Sequence, residues 1–263
     1  MYIEAHVCLT LLQNGNHIMN NILCIKWGDK YDNSYVEKLK EQCENNCSVP
    51  FNFYCLTDKP TQPYDIQLPT TWDAYYHGRP GFFWAYRKIY MFNDLIETGF
   101  SSSPVRDQFL FLDLDVIIHQ DLKYFFDLNM DKPWIVRGWW NDPALVKTNY
   151  SKNKSTPLNS SVIRWNRGQM KAVYNHVKNN AEVIFFTYPS LDNYMVHHWY
   201  DPWKEDEGFL QGFPKGDVYS WYKGNIYPDD MEKGKLREDH KICLFNNSTH
   251  IEGDNIEEIK TLW

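Results

Sequence analysis

The sequence predicts a single-domain α/β fold in which a mixed, mainly parallel sheet is flanked by helices. Short apolar runs rich in β-branched and aromatic residues alternate along the chain with stretches of helical periodicity. One run, 109–118, is apolar apart from two aspartates, as expected of a central parallel strand that is covered on both faces. A chain of 263 residues, 43% of them hydrophobic, is long enough to bury the core of one such domain.

The first quarter of the chain predicts a strand, a helix and two further strands. A turn at Gly28 follows the first strand, and the helix begins with Asn33 or Ser34 as its N-cap. The turn at 57–60, which ends in Pro60, separates the last two strands. The predicted ranges are 22–27 for the first strand, 34–45 for the helix, and 51–56 and 65–68 for the other two strands.

A helix at 82–96 precedes the longest apolar run, because four apolar residues recur there at helical spacing on one face. These residues are Ala85, Ile89, Phe92 and Ile96. Beyond the run, we predict strands at 134–136, 161–165 and 241–245 and helices at 168–179 and 191–199. No internal repeat, low-complexity segment or linker divides the chain. We therefore expect residues 1–20 to be an N-terminal extension and residues 21–263 to be one domain.

Composition and charge exclude several kinds of partner. The 27 Lys and Arg residues are outnumbered by 34 Asp and Glu, and the net charge of -7 opposes nucleic acid as a partner while permitting a small phosphorylated ligand. The first residues lack the basic segment and apolar core of a secretion signal, and no run of about 18 apolar residues occurs. We therefore expect a cytoplasmic protein without a membrane span. The six cysteines form no Cys-x-x-Cys pair, which predicts free thiols.

Asp113 and Asp115 are the most informative polar residues of the sequence. Residues two apart on a strand point to the same side, so both carboxylates form one acidic spot while Leu114 points away. Two carboxylates among apolar neighbours are costly unless a cation neutralises them, and oxygen ligands suit Mg²⁺ or Mn²⁺. The alternative is that the strand ends at Asp113 and both side chains are solvated in a turn.

The aspartate pair alone leaves several functions open. Asp113-Leu114-Asp115-Val116 resembles the motif of haloacid-dehalogenase-type phosphatases, in which one aspartate is the nucleophile and the other an acid/base. A nucleotidyltransferase or a nucleotide-sugar transferase would use the same pair to hold a metal bound to phosphates. A non-catalytic carbohydrate-binding module with a structural cation is a further alternative.

The neighbouring segments, taken in order, resemble the GT-A glycosyltransferases, including the glycogenin and lipopolysaccharide galactosyltransferase group, over about residues 22–250. The matching segments are 22–28 with Tyr31, 54–58, 84–88, 111–115, 159–161 and 191–193. This resemblance implies a Rossmann-like sheet and the metal-dependent transfer of a sugar from a nucleotide-diphosphate sugar. The implied cofactor is Mn²⁺ or Mg²⁺, the favoured donor is a UDP-sugar, and the acceptor is a hydroxyl of a carbohydrate or glycan.

The resemblance also implies roles for individual residues. Asp192 would contact the acceptor or the donor sugar and is our candidate for a catalytic base; alternatively, it is only a charge at the start of a helix. Asp58 would bind the base or ribose, although a turn or cap residue is an equal alternative. Arg87 and Lys88 would meet the phosphates or the donor sugar unless they are solvated on a surface helix. The implied donor-binding set is Lys26, Trp27, Gly28, Tyr31, Thr57, Asp58, Arg87, Lys88, Asn159, Ser160 and Ser161.

The third metal ligand is less clearly indicated than the aspartate pair. The family commonly supplies a histidine after a late apolar strand, but in this sequence Asn246 follows that strand. We therefore expect His250 to complete a metal site with Asp113 and Asp115, with Asn246 as the alternative. Tryptophans also suggest a platform on which an acceptor sugar would stack, formed by Trp139, Trp140, Trp165 and Trp203.

Overall fold

Strands and helices alternate through the ranges that the computed structural model describes, which are residues 19–76, 81–93, 107–129, 131–144, 156–201, 208–246 and 259. The strands are β1 (Asn20–Lys26), β2 (Phe51–Thr57), β3 (Asp65–Gln67), β4 (Gln108–Leu112), β5 (Val116–Ile118), β6 (Trp134–Arg137), β7 (Leu158–Asn166), β8 (Gln211–Gly212), β9 (Val218–Ser220) and β10 (Ile242–Leu244). The α-helices are α1 (Asn33–Asn45), α2 (Lys123–Asp127), α3 (Lys171–Thr187) and α4 (Leu191–Trp199), and 3₁₀ helices occupy Asp73–Tyr75 and Gly81–Phe92.

The larger sheet contains seven strands in the described ranges, in the order β3-β2-β1-β4-β7-β6-β8. Parallel pairing joins β1 to β2 and β4, β2 to β3, and β6 to β8. Only β7 among these strands runs antiparallel to its neighbours, β4 and β6. The mixed, mainly parallel sheet that the sequence predicts is thus confirmed.

Side chains on the central strands alternate between two cores, one on each face of the larger sheet. Leu23 and Phe111 point to the face covered by the Gly81–Phe92 helix, α3 and α4. Cys24 and Leu110 point to the opposite face, where α1 and α2 pack. Because both faces are covered, β1 and β4 each contain a continuous run of buried apolar residues, 22–25 and 109–112, as a central parallel strand requires.

The N-terminus of α1 is capped by a different residue from the one predicted. The Asp32 carboxylate accepts a hydrogen bond of 2.8 Å from the backbone N–H of Ser34, so the prediction of Asn33 or Ser34 as the cap was wrong. An aspartate has the short acceptor that an N-cap needs and places a negative charge at the positive end of the helix. The helix therefore begins immediately after the turn at Gly28.

The predicted strand 109–118 is divided between two sheets. β4 ends at Leu112, and after Asp113–Asp115 the chain continues as β5 in a second sheet with the order β5-β10-β9. β5 pairs antiparallel with β10, which is parallel to β9. An apolar run shows that residues are buried but not in which sheet, so the sequence could not separate one strand from two.

Two predicted helices have different limits in the structure. The predicted helix 82–96 is a 3₁₀ helix at Gly81–Phe92, buried on more than one face between the sheet and α3, and Ile96 lies outside the described residues. α3 starts later than predicted because Gly168 has a φ of +81°, which a right-handed helix cannot include. It also continues past a kink at Asn180 to Thr187, which brings Phe185 into the core.

Two smaller expectations concern cysteines and membranes. The five cysteines in the described part of the chain are free thiols, as predicted. None of the helices within the described ranges is both long and apolar enough to cross a bilayer.

Candidate active site

Several parallel strands end at one edge of the larger sheet, and the predicted site residues follow these ends. β1 and β2 end in register at Lys26 and Thr57, and β4 ends beside them at Leu112. Because parallel strands share a carboxyl edge, the loops at 27–31, 58–60 and 113–115 meet there. Ligand sites of open α/β sheets form at this edge, so the topology places the candidate residues where a site is expected.

Asp113 forms an ion pair with a buried lysine at this edge. The Lys88 Nζ lies 2.7 Å from Asp113 Oδ1 and 2.9 Å from Oδ2, and it donates a further hydrogen bond of 3.0 Å to the carbonyl of Ser160. Lys88 is only 4% exposed, so the alternative of a solvated surface lysine is wrong. Its positive charge holds the Asp113 carboxylate in place, because a buried ammonium needs a charged partner.

Asp115 is held differently and is less well neutralised. Its Oδ2 accepts a hydrogen bond of 2.9 Å from the Tyr31 hydroxyl. Burial, together with the negative charge of Asp113, raises the pKa of Asp115, whereas burial and then Asp115 raise the pKa of Tyr31. The strand does end before Asp113, as the alternative proposed, so the expectation that both aspartates lie on the strand was wrong. The two carboxylates are nevertheless partly buried and close enough to repel each other, so they are not simply solvated.

The donor chemistry of this pair fits a hard divalent cation. Carboxylate oxygens are the ligands that Mg²⁺ and Mn²⁺ prefer, and a cation would relieve the repulsion that raises the pKa of Asp115. Within the described ranges, no group of three His, Cys, Asp or Glu side chains forms a metal cluster, and His250 lies outside them. Asn246 is described, and its Oδ1 accepts a hydrogen bond of 2.5 Å from Ser220 Oγ. Metal binding by Asp113, Asp115 and His250 stays a prediction.

Asp192 lies at the first turn of α4 and is connected to the acidic pair through Ser160. The backbone N–H of Ser160 donates a hydrogen bond of 3.0 Å to Asp192 Oδ1, and burial raises the pKa of Asp192. The charge of Lys88 is the largest effect that lowers the pKa of Asp192, and the charge of Asp113 raises it further. Asp192 therefore does more than complement the helix dipole, since Ser190 caps the helix.

The predicted segment 159–161 of β7 connects these groups through its backbone. Asn159 Oδ1 accepts a hydrogen bond of 2.9 Å from the N–H of Ser161, and the Ser161 carbonyl accepts one of 2.9 Å from the N–H of Asp113. Ser160 bonds Lys88 through its carbonyl and Asp192 through its N–H. The strand thus fixes the relative positions of two carboxylates and one amine.

Asp58 and Gly28 bind each other across the ends of β1 and β2. The N–H of Gly28, whose φ is +60°, donates a hydrogen bond of 3.0 Å to Asp58 Oδ2. The other oxygen, Oδ1, is buried and has no hydrogen-bond partner among the residues that the structure describes. Asp58 is therefore not a helix cap; it stabilises the turn and retains one oxygen that can accept a hydrogen bond from a ligand.

The other predicted nucleotide-binding residues are distributed around this turn. Lys26 and Thr57 are buried and line a cavity of about 10 Å³, room for about one water molecule. Trp27 is partly buried, with the Arg87 guanidinium 5.9 Å from its ring centre. The ring of Tyr31 packs against that of Tyr35 with ring centres 4.6 Å apart, while its hydroxyl donates a hydrogen bond to Asp115.

Arg87 forms a different set of contacts from Lys88. One guanidinium nitrogen lies 2.8 Å from Asp73 Oδ2, and the group stacks over Trp84 at 4.2 Å and Tyr76 at 4.9 Å. Its Nε and second terminal nitrogen are buried without a hydrogen-bond partner. Arg87 is thus buried on the Trp27 side of the site, which contradicts the alternative of a solvated side chain. No pattern in the sequence indicates the pairing of Arg87 with Asp73.

The predicted tryptophan platform is wrong for two of its members. Trp165 is fully buried and stacks on Phe109 with ring centres 5.3 Å apart, and Trp140 is 4% exposed. Their rings pack in the cores because an indole buries a large apolar area. Trp139 is partly buried beneath the Arg137 guanidinium, and Trp203 lies outside the described residues.

The sheet order and the position of the candidate site define a GT-A glycosyltransferase fold, and solved structures share it. The galactosyltransferase LgtC, in complex with donor and acceptor sugar analogs, superposes with a TM-score of 0.59 over 92% of this chain and 94% of its own, at 10% identity. The bifunctional glycosyltransferase WbbM superposes with a TM-score of 0.55 over 91% of this chain and 48% of its own, at 13% identity. Mouse xyloside xylosyltransferase 1 superposes with a TM-score of 0.53 over 89% of this chain and 99% of its own, at 10% identity. No protein-family model and no curated protein matches the sequence.

Proposed function

We propose that this protein transfers a sugar from a nucleotide-diphosphate sugar to a hydroxyl of a carbohydrate or glycan acceptor, with Mn²⁺ or Mg²⁺ as cofactor. The observation that supports it most is the convergence of Asp113, Asp115 and Asp192 around Lys88 at the carboxyl edge of a GT-A sheet. The same fold occurs in LgtC, whose structure contains donor and acceptor sugar analogs. A UDP-sugar is the donor that we favour.

The proposed roles follow from what each side chain contacts. Asp113 and Asp115 would hold the cation, which when bound would act as a Lewis acid on the leaving diphosphate. Lys88 pairs with Asp113 and orients it, and Tyr31 orients Asp115. Asp192, beside Lys88, would bind a sugar hydroxyl or accept a proton from the acceptor.

The phosphatase alternative has weaker support than the transferase. The similar solved structures named above are glycosyltransferases. We therefore propose sugar transfer and treat phosphate-ester hydrolysis as an outcome to be tested.

A donor panel tests the proposal directly. Binding and hydrolysis of UDP-, GDP- and dTDP-sugars are measured with Mn²⁺ and after its removal by chelation. We expect one preferred donor and loss of turnover without metal. Asp115→Asn, which keeps the shape of the side chain, should lower metal-stimulated turnover by roughly 100-fold. The matched control is Asp131→Asn, which alters an exposed aspartate outside the site and should leave turnover unchanged.

Two results would contradict the proposed function. The first is wild-type protein that binds no nucleotide sugar but releases phosphate from a generic monoester, which would identify a phosphatase. The second is binding of free sugars without binding of nucleotides, which would identify a carbohydrate-binding module. Equal turnover in Asp115→Asn and wild type would exclude the metal role of that carboxylate.

A further inference from the structure

Lys223 lies in a tightly held turn that follows β9. Its backbone N–H donates a hydrogen bond of 3.1 Å to Ser220 Oγ, and this hydroxyl in turn donates one of 2.5 Å to Asn246 Oδ1. Gly224 closes the turn through two backbone hydrogen bonds with Ser220, and its φ of +91° suits glycine. A Cβ on Gly224 would lie 2.8 Å from the Met231 backbone. The backbone of Lys223 is therefore fixed.

The pairing of the second sheet places this turn at the same edge as Asp115. Val116 of β5, Leu244 of β10 and Ser220 of β9 form one row across the three strands. One residue further, the N–H of Phe245 bonds the Asp115 carbonyl at 3.4 Å and the N–H of Trp221 bonds the Leu244 carbonyl at 2.9 Å. Since neighbouring strands lie about 4.8 Å apart, the backbones of Asp115 and Trp221 are separated by about 10 Å.

The Lys223 amine is partly buried, and none of the described residues is a partner for it. No hydrogen bond or ion pair of its Nζ occurs within the described part of the chain. Burial lowers the pKa of Lys223, and the one charge that opposes this change is that of Asp192. The amine is therefore on the side of the site where Asp192 lies. A partly desolvated ammonium without an acceptor costs stability, so its position is better explained by a ligand than by folding.

The chemistry of the amine indicates which ligand. An ammonium group donates three hydrogen bonds, accepts none and carries a full charge, so an oxyanion is its strongest partner. A neutral sugar hydroxyl would leave that charge uncompensated. Lys88 cannot serve the same purpose, because its amine already pairs with Asp113. Among the groups of a nucleotide-sugar donor, the diphosphate is the oxyanion.

We propose that Lys223 is a substrate-contacting residue that binds a diphosphate oxygen of the donor and stabilises the charge of the leaving group. This inference rests on the proposed function. In the transfer, the bond between the anomeric carbon and the diphosphate oxygen breaks, and its electron pair stays on that oxygen. The acceptor oxygen forms the new bond to the anomeric carbon, and its proton passes to the catalytic base, for which Asp192 is the candidate. Lys223 donates to the oxygens that gain this charge and takes no part in bond formation.

Binding measurements separate this role from a structural one. Calorimetry with Mn²⁺ compares a nucleoside diphosphate of the preferred base with the corresponding nucleoside. Lys223→Met should weaken diphosphate binding by about tenfold or more while nucleoside binding changes by less than about twofold. Lys223→Arg, which keeps the charge, should restore most of the affinity for the diphosphate. Lys235→Met removes an exposed lysine of the same region and serves as the matched control.

Thermal unfolding provides a second measurement. Because the amine has no partner, Lys223→Met should unfold at the same temperature as the wild type or higher. Unchanged diphosphate affinity in Lys223→Met, or an equal loss for the diphosphate and the nucleoside, would overturn the Lys223 inference alone. Wild-type protein that binds no nucleoside diphosphate of any base would overturn the proposed function together with it.

Discussion

Asp192 is the candidate catalytic base, and its surroundings fit that proposed role. The carboxylate is partly buried at the start of α4, and this burial raises its pKa. One hydrogen bond, from the N–H of Ser160, fixes its Oδ1. A carboxylate with a raised pKa beside a cation is suited to exchanging a proton with an acceptor hydroxyl or to binding a sugar hydroxyl.

Asp192→Asn separates the hydrogen bond that Asp192 accepts from its charge and its ability to take up a proton. The amide oxygen can still accept the hydrogen bond from Ser160, but the charge and the ability to take up a proton are lost. We expect kcat to fall by roughly 10²- to 10⁴-fold, while the thermal unfolding midpoint stays the same or rises because a buried charge has been removed. Steady-state kinetics with the preferred donor and thermal melting provide the two measurements.

The control for this prediction is Asp217→Asn. Burial also raises the pKa of Asp217, which immediately precedes β9 and accepts a hydrogen bond of 2.7 Å from the Tyr124 hydroxyl of α2. This variant should keep its kcat, since Asp217 contacts none of the candidate site residues named above. A kcat in Asp192→Asn equal to that of the wild type would exclude a catalytic role for Asp192.

Single residues differ in how far the sequence alone could place them. Asp113 and Asp115 were identified because a charged pair inside an apolar run is rare and costly. Lys88 could be assigned to the phosphates only through the resemblance, and its ion pair with Asp113 depends on a contact between distant segments. Lys223 carried no signal in the sequence, because its place depends on how the second sheet meets the first.

At the scale of elements, the break between β4 and β5 creates the acidic site. If 109–118 were one strand, Asp113 and Asp115 would lie within a sheet, surrounded by neighbouring strands. In the structure the chain passes from one sheet to the other at these residues, so both carboxylates lie at a strand end where a ligand can approach. The position of the break is a tertiary property, set by the pairing of β5 with β10.

Gln42 of α1 holds the free edge of β5. Its Oε1 accepts a hydrogen bond of 2.9 Å from the N–H of Ile118, and its Nε2 donates one of 3.4 Å to the Val116 carbonyl. The amide thus pairs with β5 as a neighbouring strand would. A buried glutamine is unusual on an otherwise apolar helix face, and this strand explains its presence.

Gln42→Leu should destabilise the protein, because it leaves one N–H and one carbonyl of β5 buried without partners. We expect a loss of about 2–4 kcal/mol in the free energy of unfolding. Denaturant titration provides the measurement, and Glu41→Leu, an exposed neighbour, should change stability by less than about 0.5 kcal/mol. If the two variants unfold at the same denaturant concentration, the proposed support of β5 by Gln42 is incorrect.

Element prediction succeeded where local signals were strong. The predicted α4 at 191–199 coincides with the observed helix, because Ser190 supplies an N-cap and apolar residues recur at helical spacing. The prediction was poorer for α3, whose C-terminal part continues through the kink at Asn180 because Ile184 and Phe185 pack in the core. Tertiary packing, which a local window does not contain, decides such cases.

At the scale of the whole molecule, the second sheet is both a wall of the candidate site and a source of pH dependence. Within this sheet the ring of His119 stacks on Tyr219, and its Nε2 lies 2.9 Å from the Tyr219 hydroxyl. Burial, followed by the charge of His240, lowers the pKa of His119 to about 4, and Asp239 acts in the opposite direction. The folded protein therefore keeps this imidazole neutral at pH values where an unfolded chain would protonate it.

This difference predicts a loss of stability in weak acid. In the unfolded state His119 binds a proton as the pH falls below about 6.5, whereas in the folded state it does so only near pH 4, so protonation favours unfolding across this interval. Allowing for partial exposure, we expect His119 to account for about 2 kcal/mol of the stability lost between these pH values.

His119→Gln keeps a polar group beside Tyr219 without a titrating ring and should therefore flatten the pH dependence of the urea midpoint between pH 7 and 4. Burial also lowers the pKa of His197 of α4, but less than that of His119, so His197→Gln should flatten the curve in the same direction and to a smaller extent. Parallel curves for His119→Gln and wild type would show that the acid sensitivity arises elsewhere.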